Sequence, residues 1–193
     1  MNTASLVCNL VIFIITAICT IGFFRKDGKW NLGNGRFAFR FFTVQSNVLC
    51  AVSALLMCVS PAQRWIWLIK YVGTAAVTVT MLTVFLFLGP NMGYGKLLKG
   101  ADLFMHLITP LLAIVSFTVF EKRGLSFLEA LLGVLPVLLY GAWYLYKTIF
   151  APEEKRWDDF YGYNKGGKWP LSMAAMFVGT FLVSMAFMLA QNI

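Results

Sequence analysis

The sequence predicts an all-α integral membrane protein, in which one bundle of six transmembrane helices accounts for residues 1–193. Hydrophobic residues make up 60% of the chain and charged residues 12%, and the mean hydropathy is +0.76. This composition is far from that of a soluble domain. Six apolar runs are long enough to cross a hydrocarbon core of about 30 Å, which takes about 20 helical residues, and the charged residues lie mostly between these runs.

Each predicted span is separated from the next by a loop that contains charged residues. In chain order, the spans are residues 5–24, 41–59, 65–88, 101–119, 126–150 and 171–191. No lysine or arginine precedes the first run, which is longer than the apolar region of about 7 to 15 residues in a cleaved signal peptide. We therefore expect it to be the first transmembrane span.

The spans differ in the polar residues that they contain. The second includes the string TVQSN, which begins at Thr43, and the fourth includes His106, the only histidine of the chain. The third contains several threonines, which are typical packing residues of membrane helices. It also contains Lys70, close enough to one end for its ammonium group to be expected at the membrane interface.

Basic residues are unevenly distributed between the two ends of the predicted bundle. We call the end that carries the first, third and fifth loops side B, and the opposite end side A. Of the sixteen Lys and Arg residues, twelve lie on side B. The positive-inside rule therefore predicts that side B faces the cytoplasm and that both termini lie outside.

Thr43 and His106 are predicted to lie at the same depth. Thr43 follows FRFF near the start of the second span, and His106 follows ADLFM near the start of the fourth. Both spans run from side B to side A, so both residues lie within about two turns of the same end. Polar and ionisable side chains inside a membrane are costly and commonly functional. Facing positions on adjacent helices can bring a hydroxyl nucleophile and an imidazole base into contact.

Neighbouring residues are candidates for supporting roles. Asp102, four residues before His106, would orient the imidazole as the aspartate of a triad does. Alternatively, it complements the positive dipole at the start of its helix. Candidate donors to an oxyanion follow Thr43 in the second span, and one of them shares its helix face. These donors are Gln45, Ser46 and Asn47.

The candidate pair also has an ordinary structural interpretation. Threonine in membrane helices commonly bonds to a carbonyl of its own helix or to a neighbouring helix. A histidine near a helix end can bond to a headgroup or a carbonyl. The residues alone thus leave two classes of function open. One is an enzyme in which Thr43 and His106 form a catalytic pair, and the other is a non-catalytic protein that binds or transports a lipid or small molecule in the same polar cavity.

Two short motifs resemble those of a known family. The segment FRFFTVQSNVL, followed after about sixty residues by HLITPLLAI, resembles the androgen-induced-gene family of membrane hydrolases and its small bacterial relatives. The resemblance extends to the six-span layout and to DDFYGYNKGGKWP before the last span. It implies an enzyme of the bacterial cytoplasmic membrane that cleaves fatty acid esters of hydroxy fatty acids. The nucleophile would be Thr43 and the base His106.

The resemblance also implies a mechanism and a lipid partner. The histidine would take the proton of the threonine as it attacks the ester carbonyl, and water would later hydrolyse the acyl-threonine. The substrate would arrive from the bilayer. Aromatic residues of the fifth span and the fifth loop are candidates for its pocket, or alternatively belong to the interfacial belt. They are Tyr140, Trp143, Tyr144, Tyr161 and Tyr163.

No metal or other cofactor is expected. The chain has a single histidine, no CxxC motif and no glycine-rich phosphate loop, so the usual metal and nucleotide signatures are missing. All four cysteines fall within predicted spans and are expected to be free thiols. The net charge of +8 is spread along the loops, which favours anionic headgroups over nucleic acid as the partner.

Overall fold

A computed structural model describes residues 2–193. Within this range six helices are long and apolar enough to cross a membrane, which confirms the all-α bundle of an integral membrane protein. Two further helices are short and lie in loops one and three. In chain order the helices are α1 (Thr3–Phe23), α2 (Leu32–Ala38), α3 (Phe42–Val59), α4 (Arg64–Met92), α5 (Tyr94–Leu97), α6 (Ala101–Phe120), α7 (Phe127–Phe150) and α8 (Trp169–Asn192).

The side B loops contain the longest segments outside the spanning helices. Loop one contains a two-stranded antiparallel ribbon, β1 (Arg25–Lys26) and β2 (Lys29–Trp30). The two residues between the strands, Asp27 and Gly28, have positive φ angles of 51° and 76°. This conformation is typical of the two-residue turns that match the twist of a hairpin. Loop five, residues 151–168, is largely irregular.

Helix α4 is the central helix of the bundle, with contacts to α3, α6, α7 and α8. Its contact with α3 is especially close at Gly73, where an added Cβ would lie 2.8 Å from the Cα of Cys50. Small residues allow membrane helices to approach in this way. On its other face, α3 packs against α1. Helix α3 thus lies between α1 and α4.

In two spanning helices, the turn before a proline is wider than an α-helical turn. Pro90 of α4 follows a π-helical segment at Val84–Leu88, and Pro110 of α6 follows one at Phe104–Ile108. Proline has no N–H, and its ring clashes with the carbonyl four residues earlier. The preceding turn therefore widens, as π-turns near functional sites commonly do. The widened turn of α6 contains His106.

Polar side chains lie inside the bundle as well as at its ends. The expectation that Lys70 reaches the interface is wrong, because its side chain is 0% exposed and enclosed by protein. The reason is that Lys70 lies on the face of α4 that the neighbouring helices cover, beside the buried Trp67 and Tyr71. The four cysteines are free thiols, as expected.

Candidate active site

Thr43 lies in the first turn of α3. The helix begins after Phe41, whose side chain provides no cap, so the first N–H groups need partners from elsewhere. Loop five supplies one, because the N–H of Phe42 donates to the hydroxyl of Tyr161 at 3.0 Å. Loop five thereby closes over the start of α3, directly beside Thr43.

His106 contacts Thr43 from the widened turn of α6. Its Nε2 lies 3.3 Å from Thr43 Oγ1, at the long end of the range for such pairs without substrate. Its Nδ1 lies 2.7 Å from the backbone carbonyl oxygen of Leu97. A carbonyl can only accept, so Nδ1 carries the hydrogen and, in the neutral imidazole, Nε2 has a free lone pair. That lone pair faces the threonine hydroxyl, as a general base requires.

Of the two alternatives for Asp102, the structure favours the interaction with the helix dipole. The partner of Nδ1 is the carbonyl of Leu97, at the end of α5 in loop three. Asp102 lies in the first turn of α6, where its carboxylate complements the helix dipole. Leu97 could not be predicted from the sequence, because it acts through its backbone and every residue carries a carbonyl.

Asn47 connects α3 to α6 beside the pair and is not free to bind an oxyanion. One amide hydrogen is donated to the carbonyl of Thr43 at 2.8 Å and the other to the carbonyl of Met105 at 3.0 Å. Since Met105 directly precedes His106, these two bonds fix the separation of the helices at the site. Asn47 therefore holds α3 and α6 together beside the pair, and its amide hydrogens are not available for the expected oxyanion role.

The other two candidate donors are also engaged elsewhere. Ser46 donates to the carbonyl of Thr43 at 3.1 Å and pairs with the hydroxyl of Thr80 at 2.8 Å. Gln45 donates to the carbonyl of Phe39 at 2.8 Å and borders a different pocket from Thr43. Neither is placed to receive charge that develops beside Thr43.

An apolar cavity opens beside Thr43. Its volume is about 770 Å³, within the range of about 300–1,000 Å³ that is typical of small-molecule sites. Helices α3, α4, α7, α8 and loop five form its wall. Thr43 is part of this wall, whereas His106 lies behind it. The apolar lining includes Val79, Leu82, Phe87, Val137, Met176 and Val183.

The predicted pocket aromatics are divided between two cavities. Tyr140 and Tyr144 line the cavity beside Thr43. Trp143 instead lines a separate pocket of about 370 Å³ between α3 and α7. It is 48% exposed, and the ammonium of Lys147 lies 5.0 Å from its ring centre, as is typical of the interfacial belt. Trp143 is therefore not part of the cavity beside Thr43.

Tyr161 brings a hydroxyl group to the cavity wall beside Thr43. Burial raises the pKa of this phenol, so it keeps its proton at neutral pH. Its oxygen accepts the N–H of Phe42, and its hydroxyl group also lies within hydrogen-bonding reach of the hydroxyls of Thr43 and Tyr140. The phenol therefore contacts Thr43 and borders the cavity in which a ligand would bind. The sequence indicated Tyr161 only as a pocket aromatic, because the path of loop five is not encoded in hydropathy.

Asp159 fixes the path of loop five. Its Oδ1 accepts the hydroxyl of Tyr144 and the N–H of Tyr163, each at 2.8 Å, and its Oδ2 accepts the N–H of Asn164 at 2.7 Å. The hydroxyl of Tyr144 in turn accepts the N–H of Tyr161 at 3.1 Å. One carboxylate therefore holds the loop in the conformation that covers the start of α3.

The site combines a hydroxyl nucleophile, a base with a fixed tautomer, a phenolic donor and an apolar cavity. These are the parts that acyl transfer needs. In the part of the chain that the structure describes, no three His, Cys, Asp or Glu side chains come together as metal ligands would.

No family model, curated protein or solved structure matches the chain. The resemblance to the androgen-induced-gene family stays a prediction.

Proposed function

We propose that this protein is an intramembrane lipid ester hydrolase with Thr43 as nucleophile and His106 as general base. The observation that carries the proposal is the 3.3 Å contact between Thr43 Oγ1 and His106 Nε2 at the wall of the 770 Å³ cavity. The expected substrates are fatty acid esters, including fatty acid esters of hydroxy fatty acids, as the family resemblance implies.

Acylation begins with transfer of the Thr43 hydroxyl proton to His106 Nε2. Thr43 Oγ1 attacks the ester carbonyl, whose electron pair moves onto the carbonyl oxygen. The tetrahedral intermediate then collapses and expels the alcohol, which takes the proton from Nε2. An acyl-threonine remains. The carbonyl of Leu97 accepts from Nδ1–H throughout, which keeps the imidazole oriented and favours the transient imidazolium, the role of the aspartate in a triad.

Deacylation reverses these roles with water as the nucleophile. His106 Nε2 takes a proton from water as the water oxygen attacks the acyl carbonyl. Thr43 Oγ1 then leaves and regains its proton from the imidazole. The overall reaction converts one ester and one water into a carboxylic acid and an alcohol.

Tyr161 is the donor that we assign to the developing oxyanion. Its support is the position of its hydroxyl group at the cavity wall, within hydrogen-bonding reach of Thr43. The N–H of Phe42 donates to the phenol oxygen and so strengthens donation by the phenol hydrogen, because linked hydrogen bonds polarise one another. A preorganised donor of this kind typically contributes about 100- to 1,000-fold in rate.

The cavity supports a lipid as the substrate. Its wall is mainly aliphatic and aromatic, formed by α4, α7 and α8, so an acyl chain can leave the bilayer without exposure to water. Thr43 lies at the side B end of this wall. The ester group would therefore bind near the interface, with the chain extending into the bundle.

We further propose that the protein lies in a bacterial cytoplasmic membrane with side B in the cytoplasm. The support is the excess of basic residues on side B, twelve of sixteen, and the resemblance to small bacterial proteins. Loops one, three and five would then be cytoplasmic, and both termini outside.

Turnover by purified protein tests the proposed activity. Protein in lipid vesicles is incubated with a fatty acid ester of a hydroxy fatty acid, and release of free fatty acid is measured. The wild type should hydrolyse the ester, and Thr43→Ala should reduce the rate to that of empty vesicles. The matched control is Thr118→Ala, which removes a hydroxyl that only bonds to the carbonyl of Ile114 at 2.7 Å.

The control should retain the wild-type rate. Absence of turnover in the wild type, together with saturable binding of the ester, would contradict the hydrolase. That result would favour the non-catalytic lipid-binding alternative. Equal rates for wild type and Thr43→Ala would exclude Thr43 as the nucleophile.

A further inference from the structure

A second polar centre lies at the side A end of the bundle, away from Thr43. It is formed around Glu121, which follows α6 and is 5% exposed. One carboxylate oxygen, Oε1, accepts from Ser5 Oγ at 2.7 Å, Asn9 Nδ2 at 2.6 Å and Ser116 Oγ at 2.8 Å. Hydrogen bonds to a charged carboxylate are among the strongest in proteins. They tie α1 to the end of α6.

Three other polar atoms of this centre lack a protein partner within residues 2–193. They are Glu121 Oε2, Asn9 Oδ1 and Lys70 Nζ. The side chain of Lys70 is 0% exposed, so neither bulk water nor a headgroup reaches it. A buried charge without a partner is very costly. The atoms are complementary, because two are acceptors and the ammonium is a donor.

The residue after α6 contacts α4 one turn before Lys70. Trp67 Nε1 donates to the backbone carbonyl of Glu121 at 2.7 Å, and Lys70 follows three residues later on the same helix face. Among the described residues the two charged groups form no direct ion pair, and Lys70 Nζ and Glu121 Oε2 are both buried without a protein partner. A small species that both donates and accepts would satisfy the two atoms.

We propose that Lys70 and Glu121 form an ion pair bridged by buried water, in a hydration site enclosed by α1, α4 and α6. Water can accept from the ammonium and donate to Glu121 Oε2 and Asn9 Oδ1, and a buried water makes about three hydrogen bonds. A cation in the same place would be repelled by Lys70 and an anion by Glu121. A small neutral ligand that both donates and accepts satisfies all three atoms.

Thermal unfolding of charge-removing variants tests the pairing. Lys70→Met and Glu121→Gln each leave one buried charge without its counterpart, and each should lower the unfolding temperature in detergent by about 10 °C. The double variant should recover most of this loss, because it removes both charges together. Lys122→Met, at an exposed lysine of the same end, is the control and should leave the unfolding temperature unchanged.

Additive losses in the double variant would overturn the pairing. A higher unfolding temperature for Lys70→Met alone would also overturn it, because the lysine would then have no counterion to lose. Ester turnover is not part of this test, so its outcome is independent of the proposed hydrolase.

An experimental map of the wild-type protein tests the bridging water directly and needs no variant to fold. It should contain a solvent peak within about 2.7–3.2 Å of both Lys70 Nζ and Glu121 Oε2. Direct contact between the two side chains, or a dry gap between them, would contradict the proposal.

Discussion

At the scale of single residues, the site depends on a backbone carbonyl where a serine hydrolase triad has a carboxylate. Leu97 accepts from His106 Nδ1 at 2.7 Å, which fixes the tautomer without a second buried charge. In a membrane this is favourable, since a buried carboxylate would be costly to desolvate. Leu97 therefore orients the imidazole, whereas Asp102 interacts with the start of α6.

Asp102→Asn should therefore leave ester turnover close to that of the wild type. In a Ser-His-Asp triad the corresponding change lowers kcat about 10⁴-fold. Here the substitution removes the interaction of the carboxylate with the start of α6 and leaves the hydrogen bond from His106 Nδ1 to Leu97 in place. Turnover in vesicles and the unfolding temperature are the measurements. A loss of turnover of about 100-fold or more in a folded variant would instead assign Asp102 to the imidazole.

Tyr161→Phe should lower kcat by about 100- to 1,000-fold, because it removes one oxyanion donor. KM should change little, since the ring and the cavity shape are retained. Steady-state kinetics in vesicles separate the two parameters. Tyr146→Phe, at an interfacial residue that is 46% exposed, is the matched control. An unchanged kcat for Tyr161→Phe would show that the donor lies elsewhere.

At the scale of elements, loop five is the segment that completes the site. It contributes no transmembrane helix, yet the bonds of Asp159 hold it over the start of α3. Tyr161 reaches the site only because of this conformation. The loop thus positions a reacting group with a precision that is usually associated with regular elements.

Asp159→Ala should release loop five and lower ester turnover by about 100-fold, the effect of a displacement of about 1 Å at a reacting group. The helical bundle should remain folded, because this carboxylate bonds to loop five and to the hydroxyl of Tyr144 but does not join one spanning helix to another. Circular dichroism and turnover are the measurements, with Asp158→Ala, an exposed neighbour, as the control. Full activity of Asp159→Ala would contradict the role assigned to loop five.

Hydropathy predicted the spanning helices well, because the membrane imposes the length of each apolar run. It also predicted that Thr43 and His106 share a depth, since α3 and α6 run in the same direction. Hydropathy could not predict which hydrogen-bond donors near Thr43 are already bonded to protein carbonyls. Asn47 shares a helix face with Thr43, but its amide hydrogens are used by carbonyls that only the packing of α6 brings near.

At the scale of the whole molecule, the bundle places its two polar centres at opposite ends. The pair of Thr43 and His106 lies toward side B, and the centre around Glu121 lies at side A. The sequence indicated the first centre through a lone histidine, whose rarity in a membrane span is informative. It did not indicate the second, because Lys70 and Glu121 are 51 positions apart and each resembles an ordinary residue at a span end.

The orientation of the bundle is tested by cysteine labelling in intact bacterial cells. In a variant without native cysteines, Gln63→Cys on side A should react with a membrane-impermeant maleimide. Lys29→Cys on side B should react only after the cells are permeabilised, because the excess of basic residues places this side in the cytoplasm. The reverse pattern would contradict the proposed topology.

The most direct test of the account is to locate the covalent adduct of a fluorophosphonate probe by mass spectrometry. We predict that the wild type carries the adduct on Thr43, that His106→Ala labels much more slowly, and that Thr43→Ala does not label. The reason is that Nε2 is the base that activates Oγ1, 3.3 Å away. An adduct on another residue, or labelling that persists in Thr43→Ala, would contradict the central claim.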